Sequence, residues 1–478
     1  MSRKKPGAAH ARPRRKPEDT ATQSRIAGKA PLGTLSSEPA DQPEHAEAYP
    51  WFALAIFGVA LLVRLLHIWQ LRRSPFFATL MGDSRGYDEW AQRIAGGDWI
   101  GHDVFYQAPL YPYLLGVIYA IAGRRLLLVR LVQAVIGSAS CALLALAAAR
   151  LFPRRAGIAA GLMLALYAPA IFFDGLLQKS VLDVFFVCLA LWFVSRTETA
   201  KDAKPAETSA EKNDTSQRSQ RSPRLNNRLL VGATANWFLL GLTMGGLALT
   251  RENALVFILV ILVWVVVNVE RRTPNHDARP PNAERLAPAA LFLAGIAIVL
   301  LPVALRNSYV GGGFYITTSQ FGPNFYIGNN PAADGTYQSL RFGRGAPEFE
   351  RQDATELAER AVGTRLTPAQ VSTYWTDKAL TFITSQPGHW LRLMGRKAAL
   401  LLNATEMVDT ESQEAHAEWS LPLRLGGWVG HFGILVPLAL FGVIVSWPRR
   451  ARLWILYAMT LAYAASVVVF YVFARYRY

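Results

Sequence analysis

The feature that most constrains this chain is a succession of apolar runs, most of them near the length of a membrane crossing, with arginine clusters between them. A hydrocarbon core about 30 Å thick takes about 20 apolar residues in a helix to cross. Only helices and closed barrels satisfy every backbone group inside it. Runs of this length predict an all-α polytopic membrane protein. Apolar residues are 52% of the chain and charged residues 18%, where soluble domains are nearer about 25% charged. A disordered chain, a collagen-like fibre and a disulfide scaffold are excluded. Cys141 and Cys188 both fall inside apolar runs and read as buried thiols.

The net charge of +16 would suggest a nucleic-acid partner in a soluble protein. Here the charges gather at the ends of apolar runs, as topology signals do, so no nucleic acid is expected. Residues 1–50 are polar, proline-rich and basic, and read as a disordered cytoplasmic tail. Nine spans follow, at 51–70, 127–150, 156–173, 181–195, 229–249, 254–269, 286–305, 427–446 and 453–473. With them the dense clusters at Arg154–Arg155, Arg271–Arg285 and Arg449–Arg452 all fall on the cytoplasmic side. The N-terminal module is 51–305, with a first outer loop at 72–126 and a low-complexity cytoplasmic linker at 197–228. An extracytoplasmic loop domain covers 306–425, and the C-terminal spans cover 426–478. The stretch 110–123 is short and interrupted by Pro112 and Gly116, so it reads as a juxtamembrane or re-entrant helix. A short tilted span is the competing reading. Within the loop domain, Thr367 and Pro368 mark a helix start, and Pro387 separates helices at 369–385 and 388–403. The second is basic and amphipathic, the pattern of a helix lying on a bilayer surface.

Candidate chemistry gathers on the outer side. Asp83 opens a helix in which Tyr87, Ala91 and Ile94 form an apolar stripe. It is either a helix N-cap or a carboxylate placed to take a proton from a hydroxyl. The tyrosines of the phrase Tyr106–Tyr113 read as an interface belt or as pocket walls. Arg130, Lys179, Arg251, Arg306, Arg475 and Arg477 fall on the outer side, at or near the ends of spans. Singly each is a membrane anchor; together they form a receptor for a lipid phosphate. No histidine has metal-ligand spacing, and no Walker, Rossmann or nucleophile-elbow motif occurs. No metal and no bound cofactor are therefore expected.

The phrase Gly82-Asp83-Ser84-Arg85-Gly86-Tyr87, with Gly97-Asp98-Trp99 and Pro109-Leu110-Tyr111-Pro112 after it, resembles the first outer loop of the GT-C glycosyltransferases. Arg130-Leu131, Leu249-Thr250-Arg251, Arg306-Asn307, Asn324–Pro331 and Arg475-Tyr476-Arg477 continue the likeness in order. The pattern is nearest the family 39 type, the protein O-mannosyltransferase-like enzymes with their galacturonosyltransferase-like bacterial branch. The resemblance implies a GT-C bundle in the bacterial inner membrane, with Asp83 as the catalytic acid and Arg130 near it. Its donor would be a polyprenyl-phosphate sugar and its acceptor a hydroxyl on a lipid, glycan or protein. Donor phosphate contacts are then expected from Arg130, Lys179, Arg251, Arg475 and Arg477. A substrate pocket is expected from Arg85, Tyr87, Tyr106, Gln107, Asn324 and Tyr326. Two departures stand out. Many members have Asp-Glu where this chain has Asp83-Ser84, and an acid or histidine where it has Gln107-Ala108. Relatives also usually run on past the point matching Tyr478, which raises the reading that the chain is a fragment. The reaction expected is an inverting sugar transfer at the periplasmic face. The alternative is a transporter or flippase of lipid-linked glycans, although no repeat and no mid-span acid supports it.

Overall fold

A computed structural model describes residues 51–202, 223–271, 282–311, 313–345, 347–405 and 410–477. The basic tail, the centre of the linker (203–222) and the arginines Arg272 and Arg279 lie outside the described residues. Among the described residues every regular element is a helix. In chain order these are α1 (Trp51–Leu71), α2 (Gly82–Ala95), α3 (Leu110–Ala122), α4 (Leu126–Leu151), α5 (Arg154–Leu166), α6 (Ala168–Gly175) and α7 (Ser180–Asp202). Then come α8 (Pro223–Ala248), α9 (Leu255–Arg271), α10 (Asn282–Gly311), α11 (Phe321–Gly328), α12 (Pro347–Val362), α13 (Pro368–Ser385) and α14 (Pro387–Leu402). The last are α15 (Gln413–Ala417), α16 (Leu421–Val429), α17 (Phe432–Ser446), α18 (Arg450–Val469) and α19 (Ala474–Arg477).

Among the described residues five helical stretches are long and apolar enough to cross a membrane: α1, α4, the first part of α7, most of α10, and Phe432–Val469. The run 156–173, expected as a span, is a bent pair of helices. Helices α5 and α6 meet at 51° around Tyr167. Pro169 stands in the first turn of α6, where its ring and missing N–H stop α5 from continuing. The stretch 110–123 forms α3, a 13-residue helix shorter than a membrane crossing. Phe432–Val469 is not one rod. A straight helix would carry Ser446 and Tyr457 roughly 16 Å apart. Their hydroxyls instead meet at 2.7 Å, beside the stacked rings of Trp447 and Tyr457. The chain therefore turns at the short 3₁₀ step Trp447–Arg449.

Close helix packing sets the bundle. Gly241 on α8 and Gly295 on α10 lie backbone to backbone, and a β-carbon at Gly295 would stand 2.7 Å from the Leu242 nitrogen. Small residues let helices approach this closely in a membrane, where apolar burial alone gives no drive to associate. Gly295→Leu is expected to lower the thermal midpoint of the purified protein by several degrees, the effect of an overpacking cost of about 1–3 kcal/mol. An unchanged midpoint would show that this crossing is loosely held.

In the loop domain the helix start at Thr367 is built as the sequence indicates. The Thr367 Oγ1 accepts from the Gln370 N–H, and the Gln370 side chain accepts from the Thr367 N–H at 2.8 Å. Helix α14 buries Leu393, Lys397 and Leu401. Among the described residues Lys397 has no acidic partner. Its ammonium reaches the Asn329 Oδ1 at 3.5 Å, an oxygen that also accepts from the Trp390 indole. Burial pushes its pKa down from 10.5 to about 7. The unfolded chain thus binds the proton more readily between those values, so stability should rise with pH across that window. Lys397→Met should therefore raise the thermal midpoint at pH 6 and change it little above pH 10. An equal shift at both pH values would contradict this account of Lys397.

Candidate active site

Helix α2 starts at Gly82, in the left-handed region at φ +50°, with Met81 as its N-cap. Met81 makes no side-chain cap, and Asp83 lies inside the first turn. The capping alternative for Asp83 therefore does not hold. Tyr87, Ala91 and Ile94 form the apolar stripe expected, each fully buried. Tyr87 and Ala91 pack the helix against Tyr111 and Leu115 of α3, and Asp83, also buried, stands one turn before Tyr87 on the same side of the helix.

Asp83 is buried, its side chain 8% exposed. Its Oδ1 accepts from the Gln107 amide at 3.2 Å, and its Oδ2 forms an ion pair with Arg475 of α19. Burial raises the pKa of this carboxyl. The positive charges of Arg475 and Lys179 and the two hydrogen bonds outweigh it, and the net shift is downward. Lys179 stands in the turn between α6 and α7. Among the described residues its ammonium makes no direct hydrogen bond or ion pair, yet it feels Glu252, Asp183, Arg251 and Arg475. Burial is the largest influence on it and lowers its pKa.

Arg251, in the turn between α8 and α9, is locked in place. Its Nε and Nη2 reach Asp183 Oδ2 at 2.8 and 2.6 Å, and its Nη1 donates to the Tyr463 hydroxyl at 2.9 Å. Its Nη2 also reaches the Arg475 carbonyl at 3.4 Å, which ties α19 to the bundle. Glu252 beside it accepts from Thr318 at 2.9 Å and Gln320 at 2.7 Å, joining this turn to the loop domain.

A second carboxylate completes the group. Glu350 of α12 accepts from the Tyr106 hydroxyl at 2.7 Å and the Tyr337 hydroxyl at 2.8 Å, one phenol on each oxygen. Burial raises its pKa and the negative charge of Asp83 adds to the rise, while the two phenols and Arg475 oppose it. Around it lie the rings of Tyr337, Tyr471 and Phe473. The Tyr471 hydroxyl donates to Asn324 Oδ1 at 2.7 Å. Sequence reading missed Glu350. It stands amid the charges of 348–351, which look like a solvated helix face, and its partner Tyr106 is 244 residues away.

The residues expected at the site divide into two sets. Asp83, Gln107, Lys179, Arg251, Arg475, Tyr87, Tyr106 and Asn324 fall within this linked group. Arg130 does not join it. Its Nε donates to the Gly175 carbonyl at 2.8 Å, and its guanidinium covers Phe77 at 4.2 Å. Arg477 donates to the carbonyls of Leu400 and Asn403, pinning α19 to the end of α14. Arg85 faces outward in a pair with Glu89, its side chain 72% exposed. Tyr326 packs on Trp375 in the core of the loop domain. Among the described residues no group of three or more His, Cys, Asp or Glu side chains could hold a metal ion.

Comparison with known proteins adds a family. Residues 106–205 match the family described as dolichyl-phosphate-mannose-protein mannosyltransferase. No curated protein sequence matches the chain. Among solved structures, the Archaeoglobus fulgidus oligosaccharyltransferase in complex with zinc and sulfate is 15% identical, with a TM-score of 0.44. That likeness covers 89% of this chain and 48% of the other, so the chain spans about half the length of that enzyme. ArnT from Cupriavidus metallidurans, bound to undecaprenyl phosphate, is 16% identical with a TM-score of 0.39, over 90% of this chain and 77% of the other. The family match covers about a fifth of the chain and takes in the phrases Pro109-Leu110-Tyr111-Pro112 and Arg130-Leu131.

Proposed function

We propose that this protein is a membrane glycosyltransferase that moves a sugar from a polyprenyl-phosphate carrier to a hydroxyl acceptor, with inversion, on the extracytoplasmic face of a bacterial inner membrane. The N-terminus then lies in the cytoplasm. The observation that carries this reading is the join of a buried carboxylate, Asp83, to Arg475 beside the ammonium of Lys179, which makes no direct hydrogen bond or ion pair among the described residues. The matching family, whose description names a dolichyl-phosphate sugar and a protein acceptor, supports the donor class.

The chemistry follows from the charges. Asp83 takes the acceptor's hydroxyl proton as that oxygen attacks the sugar C1 from the side opposite the phosphate. The C1–O bond breaks, and its electron pair leaves with the polyprenyl phosphate. Lys179 and Arg475, with Arg251 behind them, stabilise the charge that builds on the phosphate oxygens. Arg130 and Arg477 act as structural ties in this reading. Glu350, Gln107 and the surrounding tyrosines hold the acceptor beside Asp83.

Loss of the gene is expected to remove one sugar from an envelope glycolipid or glycoprotein, with the polyprenyl-phosphate sugar accumulating. Mass spectrometry of both fractions measures this. Unchanged glycolipids and glycoproteins would refute the proposal.

A further inference from the structure

Asp83 faces a conflict that the bundle itself imposes. A general base works best when its proton affinity lies near the working pH. Yet the ion pair with Arg475 holds the Asp83 carboxyl well below that range. The two side chains are only 8% and 12% exposed, so water screens their attraction weakly. While the pair stands, Asp83 is a poor acceptor of a hydroxyl proton.

We propose that Arg475 is a clamp shared between Asp83 and the donor phosphate, so that phosphate binding draws Arg475 away and releases Asp83 to act as base. This rests on the reading of the site as a polyprenyl-phosphate transferase and adds to it an obligatory order, donor before acceptor. A phosphate monoester or diester brings more charged oxygens than one carboxylate and suits the guanidinium fork at least as well. It meets Lys179 at no cost in broken pairs, because that ammonium has no direct partner among the described residues. The Phe473 and Tyr476 rings, 4.9 and 5.8 Å from the Arg475 guanidinium carbon, give the side chain apolar support as it leaves the carboxylate. Arg251 cannot take over this part, because Asp183 holds its guanidinium through two nitrogens. Once Arg475 has moved, the remaining neighbours of Asp83 among the described residues are Gln107, Tyr87 on its own helix, Lys179, Glu350, Tyr337 and Tyr476. With its strongest cation withdrawn, the carboxyl regains proton affinity at the moment the donor is in place.

Binding of undecaprenyl phosphate to the full-length protein in lipid nanodiscs tests this without knowing the sugar or the acceptor. If Asp83 and the phosphate compete for Arg475, Asp83→Asn should bind undecaprenyl phosphate on the order of tenfold more tightly than wild type, within the usual range for coupling between two ligands. Arg475→Ala should bind it about tenfold more weakly by the same coupling. The double variant should bind as weakly as Arg475→Ala alone. Asp83→Ser, read beside thermal unfolding, serves if the asparagine variant folds poorly. Equal or weaker binding by the Asp83 variants, with wild type binding normally, overturns the clamp and leaves the transferase reading standing. Tightening that survives in the double variant also overturns it, since Asp83 would then repel phosphate without Arg475. Failure of wild type to bind undecaprenyl phosphate at all overturns the transferase reading and the clamp with it.

Discussion

Asp83→Asn is expected to lower sugar transfer by at least about a hundredfold, the lower end of what a positioned general base contributes, while the bundle stays folded. Asparagine keeps the size of the side chain and an oxygen for the Gln107 amide, but it cannot accept the hydroxyl proton. The apolar stripe of α2 is untouched, so the helix keeps its seat on α3. The cost falls on Arg475, which loses its paired charge. Thermal unfolding should be measured beside the rate of product formation for this reason. Asp83→Glu keeps the base but moves it by about one bond length, and it should retain more activity than asparagine. Transfer near the wild-type rate in a folded Asp83→Asn protein would remove Asp83 from the chemistry.

The second large effect is structural and lies away from the site. Arg64 sits in the middle of α1 and is 1% exposed. Its Nε donates to Asp174 Oδ2 of α6 at 2.7 Å, and its Nη1 reaches the carbonyls of Ala60 and Ala165. A β-carbon at Gly137 of α4 would collide with the Asp174 carboxylate, so that helix is shaped around the pair. Charges this deep in a bundle are tolerated only as a matched set. Breaking a buried ion pair by removing one member typically costs about 3–5 kcal/mol. Asp174→Ala should therefore lower the thermal midpoint in detergent by many degrees or abolish folded expression. The double change Arg64→Met with Asp174→Leu should recover much of the loss, because an apolar pair of similar volume needs no charge balance. A fully stable Asp174→Ala protein would show that the pair contributes little.

The helical class was legible because hydropathy and arginine placement report directly on what a bilayer tolerates. The break within 156–173 was foreshadowed by Pro169, but its 51° angle depends on the packing of α6 against α16 and α1, which local pattern does not encode. Asp83 was legible from its place ahead of the Tyr87–Ala91–Ile94 stripe. Its partner Arg475 was legible only as a cation on the outer side, since 392 residues separate the two. Arg130 shows the opposite case. An arginine opening an apolar helix looks like a site residue, but its neighbours, the Gly175 carbonyl and the Phe77 ring, are set by tertiary structure. Glu350 was hidden because a charged run on a loop helix ordinarily faces water, and only its two phenol partners distinguish it.

The most direct test is transfer by the purified full-length protein in proteoliposomes supplied with polyprenyl-phosphate sugars and glycolipids from its own membranes. The account predicts that wild type consumes one of these carriers, leaving free polyprenyl phosphate and one acceptor heavier by a single sugar, and that the Asp83→Asn protein leaves both lipids unchanged. Carrier lipids that stay intact with wild type, or that are consumed equally by both proteins, would contradict it.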